Sequence, residues 1–150
     1  MNKEMIIAYG TETGNSELLA MDTAKSAEEL GYETNVGNLD DYSHEDICNA
    51  TRLIVICSTW GDGEQPDNAE ESYEAMCELD TGDLDGVKFA VLALGDTAFD
   101  LFCEAGKQWD EVLESKGASR VNERLDCDTD YDDYAYEWIE ETLNEFAKED

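Results

Sequence analysis

Three short segments gather the groups that a ligand of defined shape needs. The first, Gly10-Thr11-Glu12-Thr13-Gly14-Asn15-Ser16, places glycines, hydroxyls and an amide between an apolar run and an amphipathic one. Free amides at a helix N-terminus, aided by the helix dipole, form an anion site. Thr11, Thr13 and Ser16 add hydroxyl donors and Asn15 adds an amide. No Lys or Arg stands between Lys3 and Lys25, and neither GK[ST] nor GxGxxG occurs there. Neutral donors of this kind suit one terminal phosphate better than a magnesium-bound triphosphate. A plain strand-to-helix turn with a Ser cap accounts for the same residues.

The second segment runs Ser58-Thr59-Trp60-Gly61-Asp62-Gly63-Glu64-Gln65-Pro66-Asp67-Asn68, directly after the apolar run Leu53–Cys57. A tryptophan in such a loop covers something flat or folds back over the core. The third, Gly95-Asp96-Thr97-Ala98-Phe99-Asp100, again sets an aromatic beside glycine and acids. Two aromatics at neighbouring strand ends, beside a phosphate-type loop, suit a planar ring held by stacking. Nothing in the three segments supplies a positioned acid, base or nucleophile for turnover of a substrate. Asp62, Glu64 and Asp96 admit a second reading as a magnesium cluster of a receiver-type signalling domain. That reading needs acids after the first strand, an aspartate ending the third and a lysine after the fifth. The chain has Gly10-Thr11, Ser58-Thr59 and Asp126-Cys127 there.

The elements that position these segments follow from periodicity. Met5–Tyr9, Leu53–Cys57 and Val87–Leu94 are apolar runs suited to strands buried on both faces, Tyr32–Leu39 is a half-polar strand near an edge, and Ser119–Leu125 is a polar last strand. Helical spacing covers Ser16–Leu30, Asn68–Leu79, Leu101–Lys116 and Tyr131–Lys148, with Gly31 and Gly117 as stops. The inward faces are expected to carry Ala20, Ala24, Ala27 and Leu30; Ala69, Tyr73, Met76 and Cys77; Ala105, Trp109, Val112 and Leu113; and Trp138, Ile139, Leu143 and Phe146. Alternating strands and helices predict an α/β fold, a parallel sheet wrapped on both faces in three layers, as a single domain over 1–150. Ligands then bind beyond the carboxyl ends of the strands, where the three segments lie.

The chain of 150 residues has a formal net charge of −30, with Asp+Glu 39 against Lys+Arg 9. Such acidity opposes binding to nucleic acid and to anionic membranes and favours basic protein partners or cations. Solubility or life in high salt is the plain alternative. Five cysteines without a CxxC pair and one histidine, His44, exclude a zinc ribbon, a dithiol motif and a Ser-His triad. Cys57 and Cys103 read as core residues. With no signal segment or membrane-length apolar run, the expectation is a reduced, cytoplasmic monomer.

Tyr9–Ser16, Ser58–Gly63 and Gly95-Asp96-Thr97-Ala98-Phe99-Asp100-Leu101-Phe102-Cys103 together closely resemble the flavodoxins. The stretches Gln65–Asn68 and Phe102–Lys107 also resemble the FMN domains of diflavin reductases such as sulfite reductase. The direct run from Ser119–Leu125 into the last acidic segment is similar to the short-chain kind. The resemblance implies a doubly wound five-stranded parallel sheet of strand order 2-1-3-4-5, non-covalent FMN, and one-electron transfer between a reductase as donor and a low-potential enzyme as acceptor. It implies that Thr11, Glu12, Thr13, Gly14, Asn15 and Ser16 hold the ribityl phosphate, with Trp60 on the inner face of the ring and Phe99 on the outer. Ser58, Thr59, Gly61, Asp62, Gly63, Leu94, Gly95, Asp96, Phe102 and Cys103 would edge the ring. Many relatives carry tyrosine at the outer position. The Gly61 carbonyl is expected to turn toward the protonated flavin N5, a flip that glycine permits. A dedicated accessory of one enzyme system is the alternative to a general carrier.

Between 53 and 87 the acids are Asp62, Glu64, Asp67, Glu70, Glu71, Glu74, Glu78, Asp80, Asp83 and Asp85, with no Lys or Arg. A carboxylate ~10 Å from the reduced flavin anion, at an effective dielectric near ~50, opposes it by roughly 0.7 kcal/mol. A few such groups favour the neutral one-electron-reduced flavin and a strongly reducing second couple.

Overall fold

The computed structural model describes residues 3–10, 14–59, 65–66, 69–95, 103–128 and 132–149. Strands β1 (Glu4–Gly10), β3 (Arg52–Ser58) and β4 (Lys88–Leu94) form the centre of a parallel sheet, with β2 (Glu33–Asn38) on one edge. The strand order is β2-β1-β3-β4-β5, as the resemblance implied.

Burial on both faces explains why the central strands lack polar alternation. Ile54, Ile56, Ala90 and Leu92 pack with α1 (Asn15–Glu29) and α5 (Asp132–Glu149). Leu53, Val55, Cys57, Phe89 and Val91 join the opposite core with α3 (Glu70–Cys77) and α4 (Glu104–Ser115). A short helix α2 (His44–Cys48), preceded by the 3-10 turn Leu39–Asp41, links β2 to β3. Its start is closed by a reciprocal Ser43–Asp46 capping box.

Two expected inward positions turn out otherwise. Leu30 caps the end of α1 and is 52% exposed, and Cys77 at the end of α3 is exposed, whereas Tyr73 packs half-buried on the core with the Trp109 ring. The last strand is also divided. β5 (Ser119–Arg120) pairs with Lys88 and Phe89, while β6 (Leu125–Cys127) pairs with Leu92–Leu94. Side chains of α5 serve the break between them: Trp138 Nε1 donates to the Glu123 carbonyl at 2.9 Å, and Asn122 Nδ2 donates to Thr142 Oγ1 at 2.9 Å. Strand β6 therefore runs two residues further than the polar run suggested, to Cys127.

Candidate functional site

Strands β1, β3 and β4 are neighbours and end level, Gly10 beside Cys57 and Ser58 beside Leu94. Adjacent strands lie about 5 Å apart, so the three segments leave the sheet side by side. Thr11, Glu12, Thr13, Trp60, Gly61, Asp62, Gly63, Asp96, Phe99 and Phe102 lie outside the described residues. The rest of the expected site is visible, and side-chain bonds tie it together.

Gly14 precedes α1 at φ 91°, a left-handed turn that an L side chain resists, and its carbonyl accepts the Leu18 N–H at 3.1 Å. Asn15 opens the helix and is exposed; Ser16 is fully buried, its hydroxyl 2.8 Å from Ser58 Oγ. The end of the first segment is thus fixed to the end of β3. The first-turn acid Glu17 accepts the Tyr9 hydroxyl at 2.7 Å. Burial, and then that carboxylate, push Tyr9 up to about 12.

At the second segment, Thr59 N–H donates to the Leu94 carbonyl at 3.0 Å, and Thr59 Oγ1 accepts the Ala105 N–H at 3.0 Å. The Leu94 side chain itself packs into the α1/α5 core, so only its carbonyl serves this edge. Gly95 donates to the Cys127 carbonyl at 2.9 Å. A Cβ on Gly95 would stand 2.8 Å from the Cys103 backbone nitrogen, which excludes any side chain there. Cys103 is fully buried at φ 55°, and its thiol donates to the Cys127 carbonyl at 3.5 Å rather than capping α4. Burial pushes that thiol up to about 12, so it is protonated at neutral pH and acts as a packing and donor group.

One residue outside the expected set belongs to this edge. Gln65 Nε2 donates to the Ala105 carbonyl at 3.1 Å and to Gln108 Oε1 at 3.0 Å, while Gln65 Oε1 accepts Trp109 Nε1–H at 3.0 Å. The Cys57 thiol approaches the same oxygen at 3.6 Å. A glutamine beside Pro66 gives no sign of this in the sequence, because its partners lie 40 to 44 residues away on α4.

The acidic stretch is more spread out than an edge cluster. Glu70 and Glu71 open α3 on the carboxyl side, but Asp80, Asp83 and Asp85 follow that helix toward the start of β4. There Gly82 and Leu84 donate to the Lys116 carbonyl, past the far end of α4. All five of these acids are exposed. An eight-residue helix is about 12 Å long, so the later acids act on the site only at long range.

A doubly wound parallel sheet of this order, with a left-handed glycine at the first helix and neutral donors beyond the central strands, defines a flavodoxin-like domain built for a phosphate-bearing ligand. The flavodoxin family model matches residues 7–141, and the chain belongs to that family. A Streptococcus pneumoniae flavodoxin structure is 31% identical, with a TM-score of 0.87 over 98% of this chain and 99% of that one. Flavodoxin 2 from Bacillus cereus is also 31% identical, with a TM-score of 0.84 over the same shares. The sulfite reductase [NADPH] flavoprotein alpha-component of Bacillus subtilis is 38% identical over 143 residues, 95% of this chain and 24% of the relative. That of Vibrio cholerae is 36% identical, over 94% and 23%. The chain spans about a quarter of the length of these curated relatives.

FMN, the cofactor of the family, fits the donor set. The visible groups are backbone amides at the start of α1, the hydroxyls at Ser16 and Ser58, and a Gly95 backbone kept bare by Cys103. Neutral donors accept a phosphate monoester without a metal or a base.

Proposed function

We propose that the chain binds FMN non-covalently and carries single electrons between redox proteins without turning over a substrate itself. The observation that carries the reading is the level ends of β1, β3 and β4, with Ser16–Ser58 fixing the start of α1 to β3 and Thr59–Ala105 fixing the start of α4 beside it, in a member of the flavodoxin family. Thr11 to Ser16 would hold the phosphate. Trp60 and Phe99 would stack on the ring, and Ser58, Thr59, Gly61, Asp62, Gly63, Leu94, Gly95, Asp96, Phe102 and Cys103 would edge it. Bound FMN supplies one-electron chemistry; the protein supplies position, exclusion of water and field. The aliphatic core beneath the edge, with Cys57 and Leu94 nearly or fully buried, keeps solvent from the inner side.

The acidity selects partners with basic docking faces, which steers encounter more than it tightens binding. A second reading, a dedicated accessory of one enzyme system, is supported by the 38% identity to a sulfite reductase flavoprotein component. Titration of the purified protein with FMN tests the cofactor: quenching of flavin fluorescence at one equivalent is expected, and no uptake overturns it. Reduction assays with several unrelated reductases separate the two roles. A general carrier accepts electrons from more than one, a dedicated accessory from one.

A further inference from the structure

Five large apolar or aromatic side chains stand exposed among the described residues: Leu18, Met21, Leu30, Tyr134 and Tyr136. Single exposed hydrophobics are ordinary on a protein surface, so their placement carries the information. Leu18 and Met21 lie in the first two turns of α1, Tyr134 and Tyr136 in the first two turns of α5. Both helices begin at the carboxyl ends of their strands, α1 after β1 and α5 after β6. Four of the five therefore sit at the end of the molecule proposed to hold FMN, and Leu30 sits at the other.

Three of the four form one patch across the two helices. Leu18 and Met21 are three residues apart, which makes them neighbours on the surface of α1. The Tyr136 hydroxyl donates to the Asp22 carboxylate, so α5 reaches α1 at that point. Helical side chains lean toward the helix N-terminus, which carries Asp22 and the tethered ring over the turn that holds Leu18. Leu18 is 61% exposed, Met21 52% and Tyr136 47%. Tyr134 stands about 200° round α5 from Tyr136, on the flank from which Trp138 donates to Glu123.

Acids surround the patch: Glu17 and Asp22 on α1, with Asp133 and Glu140 a turn to either side of Tyr136 on α5. No base occurs in 14–24 or in 132–147, and Lys25 lies one turn beyond Met21. Two copies of such a face would set carboxylate against carboxylate, which opposes self-association. A face with an apolar centre and a rim of Lys or Arg matches it in both respects. We propose that Leu18, Met21 and Tyr136 form the docking centre for a redox partner protein of that kind. This rests on the electron-carrier reading above and gives its basic partner a place to sit. The acids steer the encounter, and the apolar centre with its tethered tyrosine ring holds the complex.

Ferric cytochrome c, whose haem edge is ringed by lysines, serves as the probe. It is titrated at low salt into the isotope-labelled protein loaded with oxidised FMN and followed by amide chemical shifts. Leu18→Gln, Met21→Gln, Tyr136→Gln and Tyr134→Gln keep the net charge, so a general attraction between acidic and basic proteins is the same in each. Glutamine is also a good helix former, which preserves the exposed helices. Leu18→Gln and Tyr136→Gln are each expected to weaken binding about tenfold, and Met21→Gln about threefold. Tyr136→Phe keeps the ring and loses less than Tyr136→Gln. Tyr134→Gln binds as the parent does, although Tyr134 is 64% exposed. Shifts in the parent fall on 17–22 and 133–140. Absence of binding by the parent would overturn the proposal, as would equal affinity across the series or shifts centred on the acids of α3. An equal loss in Tyr134→Gln and Tyr136→Gln would do the same, as would self-association of the parent, by sedimentation, that Leu18→Gln abolishes. If the chain takes up no FMN yet binds cytochrome c through these residues, the cofactor reading falls and the docking face stands. If FMN binds and the face stays silent, the docking face alone falls.

Discussion

Helix α4 is held differently at its two ends. Its first turns are fastened by uncharged groups, the Thr59 hydroxyl, the Gln65 amide, the Trp109 indole and the Cys57 thiol. Further along, Asp110, largely buried, accepts Arg120 Nε at 2.9 Å and Arg124 Nη1 at 3.0 Å; Arg120 also meets Glu114 at 2.7 Å and Arg124 meets Asp126 at 2.7 Å. Two of only nine basic residues in the chain stand in this cluster. The difference teaches that in a protein of net charge −30 a buried helix start can be fastened entirely by neutral groups while its basic residues serve elsewhere. Neutral groups tie Thr59 and Gln65 to the start of α4, and ion pairs fix the split edge strand several residues on.

High pH separates the two ends most sharply. Burial raises Cys103 to about 12 from 9.0 and Cys127 to about 11, and raises Tyr9 to about 12 from 10.0. It also pushes the Cys57 thiol up. Each of these acids prefers its neutral form in the folded chain, so its contribution is fully present below the unfolded value and is lost as pH rises through the folded one. The window is therefore pH 9 to 12, bounded by the cysteine reference and the highest of these values. Arg120 and Arg124 are raised by their carboxylate partners, Asp110 and Asp126, against the opposing effect of burial, and stay charged throughout. Urea denaturation at pH 8 and at pH 11.5 is expected to show a loss on the order of 5 kcal/mol, with the carboxyl edge exchanging its amides first. Equal stability at the two pH values would mean that the buried thiols and Tyr9 ionise without penalty.

Asp110→Ala attacks the other end. It removes the shared acceptor of two arginines but leaves each a second carboxylate, which moderates the penalty for a broken buried pair. The expected destabilisation is about 2–3 kcal/mol by urea denaturation, with FMN affinity unchanged. A loss of FMN affinity in Asp110→Ala would remove the distinction between the ends.

How much of this could be read from the sequence depends on the range of the interactions. The unbroken runs at Leu53–Cys57 and Val87–Leu94 announced central strands, because burial on both faces leaves a one-dimensional trace. Gly31 and Gly117 ended their helices as expected, at φ 93° and 108°. Of the site, the level ends of β1, β3 and β4 were legible, because they follow from the apolar runs. Gln65 was not, since its partners on α4 are set by packing and not by spacing. The divided last strand was hidden for the same reason: its break is supported by Trp138 and Thr142, residues that periodicity had placed only in a helix. The acidic stretch misled because charge density along the chain says nothing of which end of α3 each carboxylate occupies.

Salt gives the smallest effect and decides whether the ion pairs or the surface repulsion governs the whole molecule. Screening weakens both, with a Debye length of about 10 Å at 0.1 M and about 3 Å at 1 M. The arginine cluster centres on Asp110, which is 6% exposed and so poorly screened. The repulsive pairs are spread over a surface where 39 acids face 9 bases. Relief of repulsion should therefore win, and raising NaCl from about 0.05 M to about 0.5 M is expected to stabilise the fold by about 1 kcal/mol. Asp110→Ala should keep the same slope, since the repulsion lies elsewhere. Stability that falls with salt in the parent, and stops falling in Asp110→Ala, would instead make the arginine cluster the dominant electrostatic element of the fold.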